Sequence, residues 1–129
     1  MSEKPLAQKL AIKPGQRVRL VRAPHDYEAR LGALPADAKL VHGEGTADVI
    51  QVFVQNRAEL ERELPRLKER LAPNGMIWVT YHKGTSKVPT DINRDDIRLY
   101  AEAIGLQAVS QVAVDADWSA VRLKLVGGA

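Results

Sequence analysis

The chain has no cysteine, and its 129 residues include only one phenylalanine, two tryptophans and three tyrosines. Without cysteine there is no disulfide, no thiolate nucleophile and no Cys-ligated zinc, and nothing points to an oxidising compartment. So few aromatic rings argue against a surface that stacks nucleic-acid bases. No apolar run approaches the roughly 18 residues that a membrane helix needs, and Met1-Ser2-Glu3-Lys4-Pro5 lacks the apolar stretch of a signal peptide. The expected location is cytoplasmic, with no membrane association.

What is present is ordinary for a soluble globular protein, at 45% hydrophobic and 27% charged residues. The length suits one domain that buries about two-thirds of its unfolded surface. The net charge of +3 is unevenly spread. Lys4, Lys9, Lys13, Arg17, Arg19 and Arg22 come before any acid after Glu3. Such a run is a solvated face or a contact for an acidic partner. No aromatic interleaves with it, so nucleic acid is not the expected partner.

Hydrophobic periodicity gives the order of elements. Residues 4–12 read as a short helix closed by Pro14-Gly15, followed by a strand at Arg17-Val18-Arg19-Leu20-Val21. Arg19 is unusual in a strand of this kind, because central parallel strands are apolar on both faces. Pro24 can open a helix through Leu31, and Ala38–Val41 is a short second strand. Val49–Val54, rich in β-branched residues, is the clearest strand. Asn56 with Glu59 forms a capping-box pattern, and Leu60, Leu64, Leu67 and Leu71 recur at helical spacing. Pro65 lies inside that period, so a break is expected near Glu63, with a second short helix from Pro65 to Leu71. Pro73-Asn74-Gly75 turns the chain into an apolar strand, Met76–Tyr81. An irregular stretch, His82–Asn93, leads to a helix capped by Thr90 or Asp91 and running to about Ile104. Leu106–Leu125 reads as two antiparallel strands around Asp115-Ala116-Asp117.

The order is mostly strand, helix, strand, with a closing hairpin. It predicts an α/β fold: a mostly parallel sheet, ordered 2-1-3-4-6-5 by predicted strand, with helices on its faces and an antiparallel C-terminal edge. The hairpin's exposed edge, together with Arg19 in an inner strand, leaves a homodimer or another protein partner open.

At this point the chain resembles a truncated class I S-adenosylmethionine-dependent methyltransferase, with a Rossmann-like domain. Ile12-Lys13-Pro14-Gly15-Gln16-Arg17-Val18 is similar to the lead-in to that family's first strand, and Asp48-Val49-Ile50 to the start of its fourth. Leu64–Val79, with Leu71-Ala72-Pro73-Asn74-Gly75, resembles the helix and turn before its fifth, and the final hairpin its reversed last strand. The whole chain is similar to a family of small bacterial proteins with this truncated architecture. The resemblance implies a cofactor held by a glycine-rich turn directly after the first strand, where backbone must approach ligand closely. Here that position reads Arg22-Ala23-Pro24-His25-Asp26-Tyr27. The acid expected at the end of the second strand is replaced by Val41-His42-Gly43-Glu44, with Glu44 displaced. The segment before Asp48 is too short for the family's third strand and two of its helices. The expectation is therefore a non-catalytic module with no cofactor, binding a small anionic ligand or a protein. A divergent methyltransferase, or another small enzyme such as a metal-dependent hydrolase, is the alternative.

In open α/β sheets ligands sit beyond the carboxyl ends of the strands. The richest such segment follows the Met76–Tyr81 strand, and its ligand-binding candidates are Lys83, Ser86, Lys87, Thr90, Asp91, Asn93 and Arg94. Ammonium groups, hydroxyls and a helix start in one place suit an anion. The same residues also suit a plain polar loop with a helix cap. His25, His42 and His82 all follow predicted strand ends, with Asp26 and Glu44 nearby. Convergence on one ion would need long reaches between strands, so ordinary surface histidines and no metal are expected. His25, His42, Glu44 and Trp118 remain secondary candidates. Trp118 and Arg122, four residues apart on one strand face, can form a cation–π pair or pack at the edge. No nucleophile elbow and no phosphate loop ending in Lys-Ser or Lys-Thr occurs.

Overall fold

A computed structural model of the chain describes residues 6–41, 45–83, 90–115 and 117–126. Its elements are α1 (Leu6–Lys9), β1 (Arg17–Val21), α2 (Tyr27–Leu31), β2 (Lys39–Leu40), β3 (Ala47–Val54), α3 (Arg57–Lys68), β4 (Leu71–His82), α4 (Arg94–Ala103), β5 (Leu106–Ala113) and β6 (Trp118–Leu125). The strands form one six-stranded sheet in the order β2-β1-β3-β4-β6-β5. The first four in that order run parallel, and β6 is antiparallel to both β4 and β5. This is the fold class and strand order that the sequence pattern predicts.

Strand alternation sends side chains to two faces, and each face has its own core. On one face Ile50, Val52, Val54, Ile77, Val79, Val121 and Leu123 pack with Leu60, Leu64 and Leu67 of α3 and Ile97 and Ala101 of α4. On the other, Val18, Val49, Phe53, Met76, Trp78 and Ala120 pack with Ala7 of α1, Leu10, and Tyr27 and Leu31 of α2. The Trp78 indole Nε1 donates to the Leu10 carbonyl at 2.9 Å, which fixes the α1 end onto this second face. Arg19 is buried on the first face, and its guanidinium donates to the Gly45 carbonyl.

Three expectations about elements need correction. The Leu60–Leu67 helix does not break at Pro65, because α3 runs continuously from Arg57 to Lys68. Proline removes the amide that would serve the Glu61 carbonyl, and the Tyr100 hydroxyl of α4 donates to that carbonyl instead, at 3.4 Å. The helix beginning α4 is capped by Asn93, in a full capping box with Asp96, and not by Thr90 or Asp91. Pro73-Asn74-Gly75 lies within β4 as an irregularity: the pairing jumps from Ala47–Leu71 to Val49–Met76. Asn74 takes the left-handed conformation there, at φ 66°.

Gly75 is required by close approach. A Cβ on it would lie 2.8 Å from the Asp48 carbonyl oxygen and 2.9 Å from that of Ala72. Both are backbone atoms and cannot yield cheaply. Gly75→Ala is expected to lower the free energy of unfolding by about 1–3 kcal/mol in chemical denaturation. An unchanged midpoint would mean that the irregularity relaxes freely.

Candidate functional site

The direction of the chain across the sheet reverses between β1 and β3, where open α/β folds place their ligands. Beyond the carboxyl ends of β1, β3 and β4 lies a cleft of about 690 Å³ lined by Arg22, Ala23, Pro24, Phe53, Gln55, Glu59, His82 and Trp118. Its geometry is set by the residue that leaves β1. Arg22 adopts φ 60°, a conformation that suits glycine and costs other residues about 1–3 kcal/mol. Its guanidinium meets the Glu59 carboxylate at 2.7 Å and that of Glu63 at 3.6 Å. Glu59 is itself held, since its second oxygen accepts from the Gln55 amide at 2.8 Å while the Asn56 side chain accepts the Glu59 amide at 2.9 Å. The expected cap at Asn56 is present, with the glutamate reaching one residue further back than a capping box requires.

The opposite wall is aromatic. His82 stacks on Trp118, with ring centroids 3.9 Å apart and planes at 27°. Trp118 meets Phe53 edge-on at 5.1 Å, and Phe53 meets Tyr27 likewise at 4.7 Å. Burial pushes the Tyr27 hydroxyl pKa up to about 12, so it stays protonated beneath the cleft. His82 is only 6% exposed, and its Nδ1 has no hydrogen-bond partner. The expectation of a surface histidine fails here, because His82 shares the inward face of β4 with Trp78 and Thr80. Of the two readings for Trp118 and Arg122, the cation–π pair does not form: four residues along a strand span about 13 Å, and Arg122 lies opposite Trp78 of β4. Trp118 is placed by the turn before it. The Asp115 carboxylate accepts the amides of Asp117 and Trp118 at 2.7 and 2.9 Å and the guanidinium of Arg30.

The principal sequence candidates lie on the other side of β4. Lys83, Asn93 and Arg94 share a shallow cleft of about 470 Å³ with Tyr81, Asp95, Gln111 and Ser119. Gln111 joins them, donating to the Tyr81 hydroxyl at 3.1 Å and accepting from Arg94 at 3.3 Å. Thr90 and Asp91 do not face this cleft through their polar groups. The Thr90 hydroxyl donates to the Gln55 carbonyl at 2.9 Å, and Asp91 accepts the Arg57 amide at 2.7 Å, so both tie the segment to the start of α3. Ser86, Lys87, His42 and Glu44 lie outside the described residues. His25 is exposed and lines a separate hollow of about 260 Å³ between the ends of β1 and β2. Among the described residues no group of three or more His, Asp or Glu side chains is placed to hold a metal ion, and no helix is long and apolar enough to cross a membrane.

Sequence reasoning located this edge but missed Arg22, Phe53 and Glu59 as its builders. The signal was there for Arg22, as a residue standing where the resemblance requires glycine. For Phe53 and His82 it was the period of two within their strands, which places both on the Trp118 face.

The same fold is found in solved methyltransferases. An S-adenosylmethionine-dependent methyltransferase from Aquifex aeolicus superposes with a TM-score of 0.62, at 13% identity, over 92% of this chain and 87% of its own. An rRNA methylase from Streptococcus thermophilus gives 0.59 at 10% identity, over 97% and 98%. The tRNA methyltransferase TrmK from B. subtilis gives 0.56 at 12% identity, over 98% and 68%. With this strand order, the likeness defines a methyltransferase-like Rossmann domain. The family is narrower: residues 7–126 match the one described as "Protein of unknown function (DUF3052)", and the chain belongs to it. No curated protein matches the sequence.

The Asp115 clamp has a consequence for stability. Burial alone would raise the Asp115 pKa, but the bonds from Arg30 and the Asp117 and Trp118 amides outweigh it and hold the carboxyl below its ordinary value. A carboxyl depressed in the folded state stabilises the protein above its unfolded pKa, and that stabilisation is lost as pH falls through the folded value. Asp115→Asn is expected to lower the melting temperature by a few degrees at neutral pH, with the difference closing as the pH falls below the ordinary carboxylate range. An equal deficit at every pH would remove the carboxylate from this role.

Proposed function

We propose that this protein is a non-catalytic, methyltransferase-like module of the cytoplasm that binds a small anionic ligand at the carboxyl edge of its sheet. The observation that carries the first half is Arg22. A glycine turn lets a cofactor rest on the backbone, whereas an arginine here puts a side chain at that point and fastens it to Glu59 and Glu63. Freeing the space would break both ion pairs, leaving the largely buried Glu63 carboxylate with Arg66 alone. Among the described residues Glu59 is the one carboxylate lining the cleft, and it is engaged twice.

The second half rests on the cleft beside β4 and α4. Lys83 and Arg94 outnumber Asp95 there, and the start of α4 adds the positive end of a helix dipole. Burial raises the Tyr81 pKa, so its hydroxyl stays protonated and can donate while accepting from Gln111. Arg94 presents a planar fork that matches a carboxylate, and Lys83 a compact charge. One observation favours a divergent enzyme instead: the aromatic cleft at the reversal point is open and of ligand size.

Thermal-shift titration with citrate and malonate tests the binding reading. Both anions are expected to raise the melting temperature by mass action, and Lys83→Ala with Arg94→Ala to abolish the rise without altering the unliganded fold. Stabilisation that survives the double substitution would move the anion site elsewhere.

A further inference from the structure

The amino-terminal edge of the sheet, opposite the edge just described, carries a further concavity. About 400 Å³ in volume, it is lined by Ala11, Lys13 and Gln16 from the α1–β1 connection, by Pro73 to Met76 of β4, by Gln107 of β5, and by Arg122, Lys124 and Leu125 of β6. Met76 and His82 stand six residues apart on β4, so this hollow lies about 20 Å from the aromatic cleft.

Its charge is of one sign. Lys13, Arg122 and Lys124 line it, and no carboxylate does so among the described residues. Arginines elsewhere in the protein hold carboxylates, as Arg17 does Asp48, Arg30 Asp115 and Arg57 Asp96. Arg122 holds none among the described residues, although its backbone position opposite Trp78 draws the side chain onto the sheet. Its Nε is buried without a hydrogen-bond partner. An unpaired buried donor on a charged group is unfavourable, as is grouping three like charges, and a bound anion relieves both. Neutral donors are also at hand. Gln16 spends its Oε1 on the Lys13 amide at 2.9 Å, which leaves its NH₂ group, and Asn74 and Gln107 add two more amides. Met76, Leu125 and Ala11 supply an apolar side.

We infer that this hollow is a binding site for a small phosphorylated molecule with an apolar portion, the phosphate held by Arg122, Lys13 and Lys124. A guanidinium and two ammonium groups match a doubly charged phosphate better than a single carboxylate. The volume is that of a small-molecule site. Among the described residues no aromatic ring lines it, so they give no stacking surface of the kind a nucleic-acid strand would use. The inference does not depend on the carboxyl-edge reading, since the two sites share no residue.

Calorimetric titration of the full chain with inorganic pyrophosphate and with phenyl phosphate, followed by amide chemical-shift mapping, tests it. Both probes are expected to bind saturably at one site, with shifts centred on Lys13, Gln16, Gln107 and Lys124. Arg122→Met should weaken both by about tenfold or more. Should that variant fold poorly, the solvent-exposed pair Lys13→Gln with Lys124→Gln should weaken binding comparably, while Lys83→Ala with Arg94→Ala leaves it intact. The inference is overturned if shifts scatter over every cation, if neither substitution set changes the affinity, or if a single-stranded oligonucleotide outcompetes both probes. Loss of binding only in the Lys83 and Arg94 variant would overturn it too, while leaving the carboxyl-edge site standing.

Discussion

The guanidinium of Arg22 reaches Glu59 at 2.7 Å and Glu63 at 3.6 Å, and so ties the end of β1 to one side of α3. Much of the carboxyl edge follows from that contact. Arg22 can make it only by leaving β1 at φ 60°, and that turn sends Ala23 and Pro24 along the cleft wall. Glu59 can make it only because Asn56 caps α3 and holds the first turn of the helix against the Gln55 amide. An unfavourable backbone angle is thus supported by two carboxylates, one of them buried, that would otherwise be less fully compensated. In a Rossmann-type sheet this is the position from which backbone meets ligand, and here a paired side chain holds it.

The two ends of the sheet then differ in character. In the cleft at the carboxyl end, Arg22 is paired with Glu59 and Glu63, and the open wall is a run of rings from Tyr27 through Phe53 and Trp118 to His82. At the amino end, Asp48 accepts the Arg17 amide at 2.8 Å and its Nε at 3.3 Å, which fixes the register of β1 on β3. Beside it the irregularity at Asn74-Gly75 forms the lip of the hollow that Lys13, Arg122 and Lys124 line. One face of the β5–β6 pair supplies that hollow's floor, and the same pair's turn, through Asp115, holds Trp118 at the opposite end.

The sheet was legible in the sequence because strands buried on both faces need continuous apolar runs, and Val49–Val54 and Met76–Tyr81 supply them. What was not legible depends on distant partners. Pro65 reads as a helix breaker until Tyr100 is seen to serve the Glu61 carbonyl. Thr90 and Asp91 read as caps for the helix that follows, yet they bond back to Gln55 and Arg57. Trp118 and Arg122 share a strand face, but strand rise separates them. Lys83, Asn93 and Arg94 were found because a strand end and a helix start are both visible in sequence. Arg122 was read only as packing at the edge or against Trp118, since no sequence pattern shows that the α1–β1 connection, β4 and β5 line a hollow with it.

In the function proposed above, Arg22 and its two carboxylates take the place of a cofactor turn. Calorimetric titration of the unmodified protein with S-adenosylhomocysteine tests it most directly, because that molecule keeps the contacts of the methyl donor without reacting. The expected result is no saturable heat at any concentration up to the millimolar range. A one-to-one isotherm with a micromolar dissociation constant would contradict it, because Arg22 would then have to leave Glu59 and Glu63 or the ligand would have to bind without the turn.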